Sequence, residues 1–410
     1  MPSERAAARK LRPPRALSAP AARFTWAQVH RFRVGRHSLV ERSGPKTAEE
    51  VLRRIGGVQA QVLSAAEQSL WCRITGWRRG NLSRALDPER AMVRTWCMRR
   101  TLFVVPARDL ALFTRGTQRR AEKEITWARR HGISARELER LLDAIGQALE
   151  QPRTRRELSE LVATGLGRPL ASRRGYGWGS RRAVPAVKVG RWNVPVHYML
   201  HLYGARMAVC CGPVRGSEPT YVRGDRWVAG FRDREVPDAE DALLRLYLGA
   251  YGPAAPVDFA RWAGLGVTAA TEVWDRLGRD IVPVEVEGWR AGLLEHDVDE
   301  LTRASHRGPS VRLLPYFDTY LLGHESRRHL VGEADHRRVY RNQGWIAPTL
   351  LVDGHVAATW SSEVDSSRLV VRVDPLERLG RATVEQARHE ATGLAEFLGC
   401  EETSVRIVRG

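Results

Sequence analysis

The sequence is short of cysteine, almost without lysine, and has no long apolar run. Its five cysteines are Cys72, Cys97, Cys210, Cys211 and Cys400. They form no CxxC pair and no spacing suited to zinc or an iron–sulfur cluster, so no metal and no redox motif is expected. They fit a reduced, cytoplasmic protein with structural thiols. No apolar stretch approaches the roughly 18 residues needed to cross a bilayer, and no long amphipathic basic helix suits a membrane surface. Met1–Arg23 holds arginine, proline and alanine without a continuous apolar core. It reads as a disordered basic arm rather than a secretory leader or a packed element.

What is abundant is arginine. Of 66 basic residues only Lys10, Lys46, Lys123 and Lys188 are lysine. Against 47 acidic residues the net charge is +19, and the pI is about 10.6. Codon bias in a GC-rich genome explains arginine over lysine, but not the excess of basic over acidic residues. Such a surface suits a polyanion, and nucleic acid is the first expectation. At 410 residues and 43% hydrophobic content, several small domains are expected rather than one core.

Local signals place the elements. Thr25 caps a helix through Val29, Phe32 and Val34; Thr47 caps the next, with Glu50 three residues on. After the stretch Gly56–Arg73 and a helix near Asn81–Arg90, two apolar runs between Met92 and Pro106 read as a hairpin with Arg99 and Arg100 at its tip. Helices followed by a basic-tipped hairpin describe a winged helix, whose wing would present those arginines to phosphate. A long helix is expected from Ala107 to about Arg130. The pattern recurs: helices opened by Ser134 and Thr154, a run from Arg206 to Cys211, and a pairing stretch from Val222 to Val228. A third copy starts at Asp238 and ends in a strand from Ile281 with a turn at Glu287-Gly288. The last hundred residues are strand-like, with a hairpin at Asp353-Gly354, a helix Thr383–Leu398 and a final strand Thr403–Val408. The expectation is an α+β chain: a basic arm 1–23, winged helices over 24–130, 131–237 and 238–305, and a small antiparallel β-barrel over 306–410.

Gln59-Ala60-Gln61 places two long neutral amides two residues apart. Gly56 and Gly57 read as a helix stop, and a new helix is expected from Val58 or Gln59, carrying Leu63, Ala66, Leu70 and Ile74. Inside a helix, positions i and i+2 point about 200° apart. At a first turn, or in the loop feeding it, the backbone can aim both the same way, beside N–H groups that attract phosphate. Two glutamines at this spacing are also ordinary surface chemistry.

Five pieces in order give the motif more weight. They are Gly57-Val-Gln-Ala-Gln61 with Ser69-Leu-Trp-Cys-Arg73; Arg94-Thr-Trp-Cys-Met-Arg-Arg-Thr-Leu102; Tyr251-Gly-Pro with Asp258-Phe-Ala-Arg-Trp262; Leu314-Pro-Tyr-Phe-Asp-Thr-Tyr-Leu-Leu-Gly323; and Pro348–Gly354 with Thr359-Trp360. Over about three hundred residues they resemble the winged-helix DNA glycosylases of the AlkZ and YcaQ type. The resemblance implies three winged helices and a β-barrel forming a C-shaped basic channel around double-stranded DNA. It implies a monofunctional, monomeric enzyme without cofactor that excises alkylated guanine, including bulky N7 adducts and interstrand cross-links. Its catalytic pair falls on Gln59 and Gln61. Glutamine at the second position resembles the branch that protects antibiotic producers from their own alkylating product. The chain departs from the pattern at Phe103, where histidine is expected after Thr101-Leu102, and in its extra arm. A nucleoid-associated cytoplasmic location follows from such an activity.

The chemistry suits glutamine. An N7-alkylguanine is cationic, so its glycosidic bond is weak and the base departs neutral. A glutamine amide is not a useful base, but its carbonyl can orient water and its dipole can face a cationic sugar. Candidate DNA contacts are Arg73, Arg99, Arg100, His324, Arg327, Arg328 and, in the run Arg173–Arg182, Arg173, Arg174, Arg181 and Arg182. That run reads equally as a DNA-contacting loop or a solvated linker. His197 and His201 share a helical face but lack a third metal ligand, and Asp318 reads as a hydrogen-bonded core carboxylate. No lysine lies near Gln59 in sequence, which argues against lyase chemistry. A non-catalytic winged-helix regulator and a protein that sequesters damage or drug use the same charge and remain the alternatives.

Overall fold

The structure, a computed structural model, describes residues 20–408 except 45–47, 175–182, 191, 205–206, 217, 232–235 and 305–308. Helix starts follow their capping chemistry. Thr25 caps Trp26–Arg36, accepting from the Gln28 N–H while Gln28 accepts from the Thr25 N–H. Ser134 and Thr154 cap Ala135–Ala148 and Arg155–Gly165 through the N–H of Glu137 and Glu157. Thr47 lies outside the described residues, and the helix after it spans Ala48–Arg54. Over 238–305 the chain forms the helices Ala239–Tyr251, Pro256–Ala263 and Val267–Arg276, then the hairpin Ile281–Val286 and Trp289–Leu294.

Several features differ from expectation. The arm enters a sheet before residue 24: Ala22–Phe24 runs parallel to Val284–Val286. The long helix after Pro106 is broken into Leu110–Gly116 and Arg120–Arg130. Gly116 sits so close to the next layer that a Cβ there would come within 2.8 Å of the Ala239 carbonyl oxygen. Thr117 turns its hydroxyl back onto the Phe113 carbonyl at 2.7 Å. The expected strand Val222–Val228 is strand only over Tyr221–Arg223, and Gly224–Trp227 is a helical turn. The hairpins of the first two copies are not separate either. Val58–Gln59, Leu102–Pro106, Met92–Trp96, Val209–Cys211 and Tyr221–Arg223 form one sheet in that order. Thr95 joins the halves by pairing with Cys210 and donating to the Val209 carbonyl at 2.8 Å.

The C-terminal part is an open sheet rather than a closed antiparallel barrel. Val311–Leu314, Thr349–Val352, His355–Asp365, Arg368–Pro375 and Glu402–Ile407 follow in that order, and the last two are parallel. A parallel pair needs a crossover, and the helix Arg381–Leu398 supplies it, packing against both edge strands. The hairpin at Asp353-Gly354 is as expected, with both residues at positive φ. Hydrophobic cores cross the expected domain limits. Residues between Val34 and Val104 share one core with Val311–Phe397.

The join between these parts is polar. Tyr251 Oη reaches the Ile55 carbonyl at 3.1 Å and Thr319 Oγ1 at 2.9 Å. His37, fully buried, lies edge-on to Tyr251 and Tyr320 and bonds the Ala250 carbonyl at 3.2 Å. Arg73, expected to face DNA, is fully buried instead. Its guanidinium grips both oxygens of buried Asp318 at 2.8 and 2.7 Å, and Asp318 also accepts from Ser69 Oγ and the Tyr320 N–H. Burial disfavours the carboxylate, but Arg73 and these donors together hold its pKa below the ordinary value.

Asp318→Asn leaves the Arg73 charge buried without a counterion. The expected loss is about 3–5 kcal/mol in urea unfolding, and a loss below about 1 kcal/mol would contradict the pairing. The buried histidines predict a pH effect. Burial, then nearby arginine charge, lowers His30 and His37 to about 3, and burial also lowers His324 and His329. Their folded pKa values lie below the unfolded value of roughly 6.5, so stability is full above that pH and is lost as pH falls toward the folded values. Melting temperature should therefore drop between pH 7 and 5. A flat profile over that window would show the histidines to be solvated.

Candidate active site

The segment before Gln59 is fixed by glycine. Gly57 closes the Ala48–Arg54 helix, its N–H bonding the Leu52 carbonyl at 2.7 Å. Gly56 and Gly57 have φ of 74° and 82°, and a Cβ on Gly56 would come within 2.7 Å of the Trp262 ring. The chain then extends rather than coiling. Val58 and Gln59 pair with Val104 and Phe103, and the Ala60 N–H carries the ladder on to the Leu102 carbonyl at 2.7 Å. The next helix starts only at Leu63. The expected start at Val58 or Gln59 gives way because the Leu102–Pro106 strand takes those backbone groups first.

The strand and the bend after it solve the aiming problem: Gln59 ends the Val58–Gln59 pairing, and Gln61 lies in the bend that leads to the Leu63 helix. Both amides meet the turn Met98–Leu102: Gln59 Oε1 accepts from Arg99 Nη2 at 2.9 Å, and Gln61 Oε1 accepts from the Leu102 N–H at 3.0 Å. Both partners can only donate, so each amide is oriented with oxygen toward the turn. Each carbonyl oxygen keeps one lone pair for another donor. Gln59 is mostly buried but polar in its contacts, and Gln61 is half-buried. Arg94 Nε holds the Ala60 carbonyl from the other side at 3.0 Å. The residue that departs from the family pattern, Phe103, is buried opposite Gln59 under the Arg99 guanidinium.

The turn itself is unusual. Arg99 and Arg100 are both left-handed, at φ 54° and 63°. Gly264 lies against it, where a Cβ would stand 3.0 Å from the Arg99 nitrogen. Arg99 is therefore not a wing tip reaching outward. It is half-buried, bonding Gln59 and the Trp262 carbonyl, and burial lowers its pKa to about 10, still protonated at neutral pH. Arg261 and Arg327 act on Arg99 through their charge. Arg261 pairs with Glu325 at 3.1 Å, and Arg327 lies 4.1 Å over the Tyr340 ring. Lys123, remote in sequence, reaches this corner, but its ammonium is tied to the carbonyls of Gly264 and Leu265.

The other expected contacts separate. Arg100 pairs with buried Glu124, which also meets His201 at 3.2 Å. His324 is buried rather than facing outward: its Nε2 accepts from Arg33 at 2.9 Å, and Arg33 is anchored on the Gly252 and Pro253 carbonyls. Arg328 is exposed beside Glu333 at 3.3 Å. Arg173 and Arg174 end the strand Leu170–Arg174, paired in register with Val184 and Ala183. Arg181 and Arg182 lie outside the described residues. Among the described residues no group of three or more His, Cys, Asp or Glu could hold a metal, and no helix is long and apolar enough to cross a membrane. Sequence reasoning missed Arg94 and Arg261. Arg261 stands inside the Asp258–Trp262 motif, but no spacing rule connects it to a residue two hundred positions earlier.

Comparison with known proteins places nearly the whole chain in one family. A family described as "DNA glycosylase AlkZ-like" matches residues 52–397. A protein of Streptomyces sahachiroi named "Interstrand DNA cross-link repair glycosylase" is 31% identical over 393 residues, covering 94% of this chain and 99% of its own. The solved structure of Streptomyces sahachiroi DNA glycosylase AlkZ superposes with a TM-score of 0.76 at 27% identity, covering 94% of this chain and all of its own. The names of these relatives favour a glycosylase over a catalytically silent regulator or a sequestering protein. The chain belongs to the AlkZ-like family of DNA glycosylases.

Proposed function

We propose that this glycosylase hydrolyses the N-glycosidic bond of bulky N7-alkylguanine adducts or cross-links in double-stranded DNA, with Gln59 and Gln61 as its catalytic pair. The observation that carries the reading is the convergence of both amide oxygens on one arginine-bearing turn. The name of the Streptomyces sahachiroi relative supports cross-linked DNA as substrate. In this reading the helix-and-hairpin copies act as three winged helices, which with the C-terminal sheet form a C-shaped basic channel. The enzyme works as a monomer associated with the nucleoid, protecting its host from a DNA-alkylating natural product. Arg99, Arg100, Arg327 and Arg328, with the Arg173–Arg182 run, meet phosphate.

The cationic base leaves neutral with the glycosidic electron pair, so no acid is needed, and water adds to C1′ of the sugar as positive charge develops there and sheds its proton to solvent. Each amide oxygen uses its remaining lone pair to orient water or to face the cation. Arg99 complicates this. A fixed positive charge about 5 Å from the sugar would cost roughly 3 kcal/mol at an effective dielectric near 20. A DNA phosphate relieves the conflict by drawing the guanidinium off Gln59, which frees its carbonyl as substrate arrives. Lys123, committed to two carbonyls, offers no Schiff-base amine.

Single-turnover release of alkylguanine from duplex DNA tests the assignment. Gln59→Ala and Gln61→Ala should each slow release by roughly 10²–10³-fold, the scale of losing one oriented polar group, with duplex binding retained. Wild-type rates in both variants would overturn it.

A further inference from the structure

The motif Leu314–Gly323 holds a residue that neither the core nor the glutamine site uses. Tyr316 is 39% exposed, whereas its neighbour Phe317 is 3% exposed and left-handed at φ 59°. Tyr316 lies edge-on to Trp345 at 5.6 Å, and Phe317 supports Trp345 from 5.0 Å. Across from them Gln343 is also left-handed, at φ 59°. The left-handed region disfavours a residue with a Cβ, so Phe317 and Gln343 hold shapes imposed against local preference. The cleft has a volume of about 890 Å³ and is lined by Tyr316, Tyr340, Trp345, Arg337, Asn342 and Gln343. Arg337 is exposed and has no ion-pair partner among the described residues. Arg327, which lies over the Tyr340 ring of the cleft, is close enough for its charge to act on Arg99.

Aromatic faces for stacking, amides that match base edges and an arginine for phosphate are what a single nucleotide requires. The cationic rim disfavours a cationic guest, and the enzyme's polymeric substrate brings bases within reach. We propose that this cleft receives one unstacked nucleotide of the DNA strand. Its base stacks on Tyr316 with the Trp345 ring at its side, its edge meets Asn342 and Gln343, and its phosphate meets Arg337. The cleft would hold the strand open beside the lesion, and only this placement depends on the glutamine assignment proposed above.

The test is fluorescence anisotropy with two undamaged duplexes, one fully paired and one carrying a single unpaired nucleotide. The full-length protein should prefer the bulged duplex. Tyr316→Ala should reduce that preference roughly 5- to 100-fold, the range for losing one stacking contact, and Tyr316→Phe should keep it. Arg337→Ala should weaken bulge binding and lower the slope of log affinity against log salt by about one phosphate contact. Because Tyr316 is exposed, unchanged melting of the alanine variant separates recognition from folding. Equal bulge preference in wild type and Tyr316→Ala overturns the proposal. A protein that releases no base from alkylated DNA, yet shows Tyr316-dependent bulge preference, supports the cleft and overturns the glutamine assignment alone.

Discussion

The hydrogen bond from Arg99 to Gln59 is the constraint around which the rest of this corner is arranged. It forms only because the chain after Gly57 is extended and because the opposing turn places two consecutive arginines in left-handed geometry. Both conditions are enforced from outside. Trp262 excludes a side chain at Gly56, and Gly264 admits the Arg99 backbone. The Tyr251 hydroxyl clasps the Ile55 carbonyl just upstream. Three stretches separated by up to two hundred residues thus converge on the Gln59 and Gln61 amides and the Arg99 guanidinium, which is why the family motifs are scattered along the chain.

The proposed assignment describes a weak, selective catalyst. Among the described residues no carboxylate is hydrogen-bonded to the glutamine amides, and the amides cannot take a proton at neutral pH. What they supply is orientation and dipole, worth a few kcal/mol at most. A normal nucleoside, whose base must depart as an anion, needs far more than that. A nucleoside with a cationic base does not. In the proposed assignment the positive charge of Arg99 adds a further bar, because it would oppose charge on the sugar until a phosphate competes for it.

Local chemistry was legible in the sequence and non-local pairing was not. Thr25, Ser134 and Thr154 announced their helices because capping is decided within four residues. The hairpins at Arg99-Arg100 and Asp353-Gly354 were readable for the same reason. The strand character of Val58–Gln59 was hidden because its partner lies more than forty residues on, and apolar spacing beyond it suggested helix. The open sheet with its parallel last pair was hidden likewise, since strand runs carry no record of direction. At the site, the glutamines were found through a family resemblance and not through spacing. Arg73 and His324 looked like surface cations, since a basic residue in a polar stretch gives no sign that Asp318 or Arg33 awaits it inside.

The central claim is that a neutral amide pair suffices because the substrate activates itself. The most direct measurement compares two forms of one lesion: duplex DNA with N7-methylguanine, and the same duplex after alkali has opened the imidazole ring and removed the cation. The account predicts release of the cationic base and no measurable release of the neutral, ring-opened one. Comparable release of both would mean that the protein, not the lesion, supplies the activation.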